Sequence, residues 1–554
     1  MSTSYTYPGI YIQELPLNAQ TITPAPTSIT AFVGYTHPWK TKVPWGQAQQ
    51  IFSFSDYETY FGGIYTSGYV DSSVSRAVYA FFLNGGNNAY VVPLQASAFV
   101  GSTADAQFGN DSTDVFFAAN ILPNSGDTSV GITLQAIEPA DQVPLVARIA
   151  NIRMNASSNY TIFDLVLSYG TVVETYRGLD ISLPTNTQAS GSNPPSIDVA
   201  LNGVSNLVTA SPIGGGTSFG SVFAGTPPAA QTVTFSAIPV NLPAGYTGSY
   251  SAGDFIPVFQ ANSGLDIVEI FNLLLVPGVV DNAVIGAALA FAETKRAFAI
   301  LDPPLQASAF QQTTPPFPAP LPPTLESLLP AVPLSQNGAL YFPYLNTTDP
   351  VSGNPWPVAP GGFVAGIFAT TDSNRGVWKA PAGMATTLLG TTGPVTNGVM
   401  NDMQQGALYS EESTVPVNCL RSFSGAGTVV YGSRTLVAND QAFAQSKYVP
   451  VRRMTLFIEQ TLIANLKWAV FEPNDEPLWL AIKSEIEAFL LSLFNQQALQ
   501  GSTPSDAFQV KCDQTTTSTQ DQQNGIVNIV VGVALLKPAE FIVIKIAQIA
   551  GQTS

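Results

Sequence analysis

At 554 residues the chain is long enough for three or four domains. Its 45% hydrophobic content supports large cores and excludes global disorder, while its 10% charged content is far below the roughly 25% of an ordinary soluble domain. The net charge of −17 argues against a nucleic-acid partner, and one histidine (His37) with two cysteines (Cys419, Cys512) excludes a His-rich metal site and a disulfide framework.

Low charge has two readings. The surface is either solvated by Ser, Thr, Asn and Gln, or covered by neighbouring subunits, since charge is depleted at interface cores. The first nine residues lack a basic region and an apolar stretch, so no export signal is expected. Apolar runs such as 283–292 and 526–536 are well short of the roughly 18 residues of a spanning helix. The expectation is a soluble protein folded in the cytoplasm, and two cysteines fit such a reducing compartment.

Residues 1–25 read as an extended arm with Tyr7, Ile10 and Ile12 around Pro8 and Gly9. A buried strand follows at 27–34, then a helix over 74–83 stopped by Asn84, Gly85 and Gly86, and a strand at 89–94. Residues 26–94 are thus the first part of an α/β core. Composition changes at 95: residues 95–262 carry 11 acids, three arginines and no lysine, and 199–253 carry no charge at all. Runs such as 161–168 and 233–236 alternate with turn residues, so 95–262 is expected to be an inserted all-β domain on the surface.

The α/β grammar resumes over 263–445. A strand over 267–276, a helix capped by Asp281 or Asn282 and running to Arg296, and a strand at 297–301 make a βαβ unit. Ten prolines between 303 and 333 read as a stiff surface loop or a docking site for a polyproline-reading domain. Strand-like runs follow at 339–342 and 363–370. A C-terminal domain, 446–536, holds a helix over 451–467 and another started by Asn474, Asp475, Glu476 and Pro477 and ended by Gly501. Strands are expected at 508–512 and 526–536, with a polar loop at 513–523 between them. The arm 537–554 carries a last strand, 541–549, with Phe541, Val543, Ile544 and Ile546. On the second helix the apolar stripe leaves Lys483 and Glu487 free for another surface, or simply solvated.

No phosphate loop and no dinucleotide fingerprint is present. His37 sits in a turn, the carboxylate pairs sit at a loop and at a helix start, and no catalytic residue, cofactor or metal ligand is expected.

Several segments carry a resemblance: 7–14 (YPGIYIQE), 27–34 (TSITAFVG), 84–86 (NGG), 375–383 (RGVWKAPAG), 417–421 (VNCLR), 431–436 (YGSRTL), 448–453 (YVPVRR), 468–479 (WAVFEPNDEPLW), 497–501 (QALQG) and 537–541 (KPAEF). In this order they resemble contractile tail sheath proteins of phages and phage-tail-like injection particles, while 95–262 carries none of these segments. The resemblance implies a subtilisin-like three-layer α/β core without catalysis. The largely apolar strand 541–549 and the short aromatic stretch 5–14 read as arms exchanged between subunits, or as strands that complete the subunit's own sheet. The resemblance also implies a homo-oligomeric helical sheath around an inner tube protein, triggered by a baseplate and closed by tail-terminator or cap proteins. No nucleic acid and no membrane insertion belong to that picture. A serine-hydrolase-like protein needs a base other than His37, and a β-rich adhesin needs an export signal; these are the alternatives.

Overall fold

The computed structural model of the chain describes residues 22–37, 40–65, 72–95, 117–122, 130–137, 144–190, 194–225, 228–237, 251–305, 332–350, 353–395, 400–410 and 415–545. The chain divides into two compact units, residues 26–452 and a second made of the stretch up to Ala25 with the residues from Arg453 onward.

In the larger unit, strands β1 (Thr30–Tyr35), β2 (Gln49–Ile51), β3 (Ala89–Leu94), β4 (Leu273–Leu275), β5 (Phe298–Leu301), β6 (Gly338–Phe342), β7 (Val417–Phe423) and β8 (Gly427–Val430) form one sheet. Their order is β8-β7-β6-β5-β4-β1-β3-β2. The inner six are parallel, with Thr30 opposite both Leu273 and Ala89, and the two edge strands are antiparallel. Successive side chains on a strand face opposite ways. Ala31, Val33, Leu274, Ala299 and Leu301 therefore share one buried face with helix α2 (Asn282–Lys295). Phe32, Phe298 and Tyr341 face the other way, where rings of Phe81 on helix α1 (Ser73–Leu83) and Phe368 on helix α3 (Gly361–Arg375) meet them at 5.5–6.4 Å. Helices on both faces make three layers.

Helix α2 begins where the sequence predicts, because the Asp281 carboxylate accepts from the backbone N–H of Ala283 (2.8 Å) and Val284. Helix α3 replaces the strand expected at 363–370. Its residues Gly361–Ala369 are all buried, so the run carries no amphipathic period to read. A Cβ on Gly362 or Gly366 would collide with the α1 backbone at Ala77 and Phe81, so the two helices cross at backbone contact. The strand expected at 267–276 shrinks to Leu273–Leu275, because Asn272 turns its side chain to the backbone of Ile29 (3.0 Å) and Pro26 (2.8 Å).

Residues 117–237 form two antiparallel four-stranded sheets. One orders Gln231–Thr234, Leu145–Met154, Tyr160–Tyr169 and Val172–Asp180; the other orders Ser236–Ala237, Phe117–Ile121, Ile132–Ala136 and Val208–Pro212. Leu134, Ala147, Ile149, Phe163 and Leu165 from the two sheets share one buried cluster, so the sheets pack face to face. The all-β expectation needs correcting here. Ile197–Leu201 is a short helix, and Ala252–Phe259 is helical and belongs to the α/β core, where Tyr35 meets Phe255 at 5.3 Å and donates to Asp254 at 2.7 Å.

In the smaller unit, helix α4 (Val449–Asn465, whose first residues belong to the larger unit) and helix α5 (Glu476–Asn495) meet through Phe457 and Phe489 at 6.1 Å. Asp475 caps α5 by accepting from Leu478 N–H at 3.1 Å. The helix ends before Gly501: Gln497 takes the left-handed conformation (φ 60°), and Ala498 N–H donates to Leu493 C=O. Strands β9 (Phe508–Lys511) and β10 (Val530–Val533) form a two-stranded antiparallel sheet, shorter in its second strand than the 526–536 expected. The loop expected between them contains a helical turn, Thr519–Gln523, boxed by Ser518 and Asp521. Ile22–Ala25 is strapped to α4: Asn465 exchanges two hydrogen bonds with Thr23 (2.9 and 2.8 Å), and Thr461 accepts from Ala25 N–H.

Candidate assembly interface

His37 is fully buried, with its ring 5.1 Å from that of Tyr65. No group of three or more His, Cys, Asp or Glu that could hold a metal occurs among the described residues. Cys419 is buried and burial pushes its thiol up to about 12, so it stays protonated. A cavity of about 330 Å³ lies beyond the C-terminal ends of β4 and β6, lined by Ser73, Arg76, Gly278, Tyr344 and Trp356 among others. Behind it Asp302 is fully buried. Burial pushes its carboxyl up to about 6, although it accepts N–H from Gly278 (3.0 Å) and Gly361 (2.7 Å), which favours the ionised form. Its partners are backbone groups that tie two loops to β5. No helix of the described residues is long and apolar enough to cross a membrane.

The smaller unit carries exposed apolar side chains and a small sheet. A two-stranded sheet is marginal alone, and neither outer edge of β9–β10 meets another strand among the described residues. Val530 is 55% exposed on β10. Downstream, Phe541, Ile542, Val543 and Ile544 are four consecutive apolar side chains, each at least 75% exposed and in no strand. Tyr7, Ile10, Ile12 and Ile546 lie outside the described residues. Phe471, missed by the periodicity because it sits in a loop, is fully exposed with φ +72°. An aromatic residue in the left-handed region is strained, by on the order of 1 kcal/mol or more.

Helix α5 buries Leu478, Trp479, Ile482, Ile486, Phe489, Leu490 and Leu493. Lys483 and Glu487 lie outside that stripe, with side chains 37% and 45% exposed and 3.8 Å apart one helical turn from each other. The Lys483 charge also acts on Asp513, whose carboxyl is held below its ordinary value first by the Thr515 hydroxyl and then by backbone N–H groups. Glu485 faces elsewhere. It accepts from the Trp468 indole at 3.1 Å, and burial raises its carboxyl.

Residues 440–549 match the family described as phage tail sheath C-terminal domain, the span that holds α4, α5, β9 and β10. In that span the chain is similar to phage tail sheath proteins. A stretch of 197 residues is 31% identical to the tail sheath protein of Vibrio phage KVP40, covering 34% of this chain and 26% of that relative; the match thus spans about a quarter of the relative's length. Two solved assemblies share the fold over nearly the whole chain. A chain of the anti-feeding prophage baseplate matches at TM-score 0.55 and 22% identity, covering 98% of this chain and 99% of its own. A chain of the extracellular contractile injection system PVC sheath complex, in its contracted state, matches at TM-score 0.55 and 20% identity, covering 99% of each.

Proposed function

We propose that this chain is a structural, mechanical sheath subunit that polymerises into a helical contractile cylinder around an inner tube and drives that tube through a target envelope. The observation that carries the reading is the conjunction in one unit of a sheath C-terminal domain, an open-edged two-stranded sheet and an exposed apolar terminal segment. The likeness to a contracted-state sheath over 99% of both chains supports it.

In this reading the core is subtilisin-like in layering without enzymatic activity, and contraction draws on stored conformational energy, as a heterologous interface with two packings can supply. The arms 1–25 and 537–554 extend a neighbour's β9–β10 sheet by strand addition. Residues 95–262 are an inserted domain on the outer surface. Baseplate and tail-terminator or cap proteins close the ends, and assembly takes place in the cytoplasm, in a phage tail or phage-tail-like particle. Electron microscopy of the purified chain tests this: hollow striated cylinders are expected, and a monodisperse globular particle under all assembly conditions would sink it.

Lys483 and Glu487 are the tube-facing pair in this reading. Exchanging them (K483E with E487K) keeps the one-turn pair, in its better orientation, and inverts the pattern offered outward. Subunit stability should change by only a few tenths of a kcal/mol. Co-sedimentation of sheath with the inner tube should fall. Unchanged co-assembly would make the pair an ordinary solvated one.

A further inference from the structure

The loop before β10 contains an Asn–Gly pair, Asn524–Gly525. An Asn–Gly bond is the peptide linkage most open to intramolecular attack, because the glycine nitrogen carries no neighbouring side chain to shield the asparagine Cγ. The sequence has five such pairs, of which four, beginning at Asn84, Asn202, Asn337 and Asn524, lie among the described residues.

Three of the four amides are locked. Asn84 Nδ2 donates to Ala80 C=O (2.8 Å) and Leu389 C=O, and its Oδ1 accepts from Leu389 N–H (2.8 Å). Asn202 makes both bonds to the backbone of Ala210, at 3.1 and 2.7 Å. Asn337 is fully buried, donates to Ala297 C=O (2.9 Å) and accepts from Arg452 Nε (3.0 Å). In each, rotating Cγ toward the next nitrogen breaks two or more hydrogen bonds. Asn524 differs. It is exposed, its side chain makes no hydrogen bond, and its backbone N–H alone is engaged, to Gln520 and Asp521. Gly525 has φ +72° with open space around it.

We infer that Asn524 is a site of spontaneous deamidation and isoaspartate formation in the folded protein. The Gly525 nitrogen bonds to Asn524 Cγ, the Cγ–Nδ2 bond breaks, and the side-chain nitrogen departs as ammonia, leaving a five-membered succinimide. Water then opens the ring. Cleavage at Cγ gives aspartate, and cleavage at the α-carbonyl gives isoaspartate, whose main chain runs through the former side chain and is one methylene longer. In the folded turn, ψ of Asn524 is 3° and Gly525 N–H is tied to Gln522 C=O at 3.1 Å. Attack therefore waits on a local opening of this exposed turn, which is far easier than the opening that would free Asn84 or Asn337.

The place gives the reaction a consequence. Just beyond it, Ile526 N–H donates to Asp521 C=O (2.8 Å), Ile526 C=O accepts from Asn474 Nδ2 (3.1 Å), and Asn528 N–H donates to the Thr517 hydroxyl (3.0 Å). These bonds set where the chain enters β10. An extra backbone methylene ahead of them displaces that entry. If β10 receives a neighbour's arm, as proposed above, isoaspartate at 524 makes an aged subunit a poor acceptor.

The test is peptide mapping by mass spectrometry of the intact chain held in mildly alkaline buffer, with enzymatic methyl labelling of isoaspartate. Asn524 should convert first while Asn84, Asn202 and Asn337 remain amides, and all four should convert at similar rates in urea. N524Q, which cannot close a five-membered ring, should remove the signal, and G525A should slow it several-fold. An unreacted Asn524 on the timescale of the unfolded control, or conversion of a locked asparagine as fast, would overturn the site. The consequence is tested separately by comparing cylinder formation by fresh and aged chains with that of aged N524Q. Equal assembly by all three would overturn the effect on arm acceptance, whereas a chain that never forms cylinders speaks against the sheath reading itself.

Discussion

Deleting residues 1–15, or replacing Val543 by proline, is expected to leave a folded monomer that forms no cylinders. Phe541–Ile544 are at least 75% exposed, so the subunit's own core does not depend on them. An apolar terminal segment of that kind is an aggregation hazard unless something pairs with it, and β9–β10 offers unpaired edges to receive it. At about 1 kcal/mol net per hydrogen bond, four to six bonds give on the order of 5 kcal/mol for each arm. In the proposed sheath that would be enough for the link to persist while subunit bodies turn past one another. Proline at 543 removes one N–H and blocks ladder pairing on one side. Unchanged thermal melting, a monomeric sedimentation coefficient and empty electron-microscope fields are the expected results. Normal cylinders from either variant would show that the arms are not the link.

How far the sequence could be read follows from where its signals lie. Helices α2 and α5 announce themselves through local chemistry, the Asp281 cap and the Asp475–Glu476–Pro477 start, and the structure keeps both. Helix α3 was illegible as a helix because all of its first nine residues are buried, and its glycines serve a crossing with α1 that no local pattern encodes. Phe255, Val258 and Phe259 stand at helical spacing and could have moved the edge of the β region to before residue 251; the chargeless stretch preceding them masked that signal. At the candidate interface, Lys483 and Glu487 were readable from the α5 stripe, whereas Asp513 beside Lys483 comes from a distant part of the chain. Phe471 carries no period at all, and its exposure is a property of the loop's geometry.

The largest expected effect on the subunit itself is at Asp349. This residue closes the turn between two strands of a small sheet, Leu345–Thr348 and Pro355–Val358, receiving Gly353 N–H and donating to Asn354 C=O, each at 2.8 Å. Its carboxylate lies 2.9 Å from Arg76 of helix α1, and the two side chains are 0% and 4% exposed. Arg76 further donates to Tyr65 C=O and the Ser72 hydroxyl, both at 3.3 Å, and its guanidinium lies 4.4 Å over the Trp356 ring. Asp349→Ala leaves that guanidinium buried with its counter-charge gone, which should destabilise by about 3–5 kcal/mol, a large share of the roughly 5–15 that holds a domain folded. Replacing both partners, Arg76→Met with Asp349→Ala, removes the stranded charge and should recover much of the loss, so the two changes are strongly non-additive in urea-unfolding midpoints. The cavities that border Arg76 supply the alternative outcome. If water reaches the guanidinium through them, Asp349→Ala costs under about 1 kcal/mol, as at a solvent-screened surface pair. A loss that small would mean the joint between α1 and this turn rests on the Trp356 stacking and the backbone bonds rather than on the ion pair.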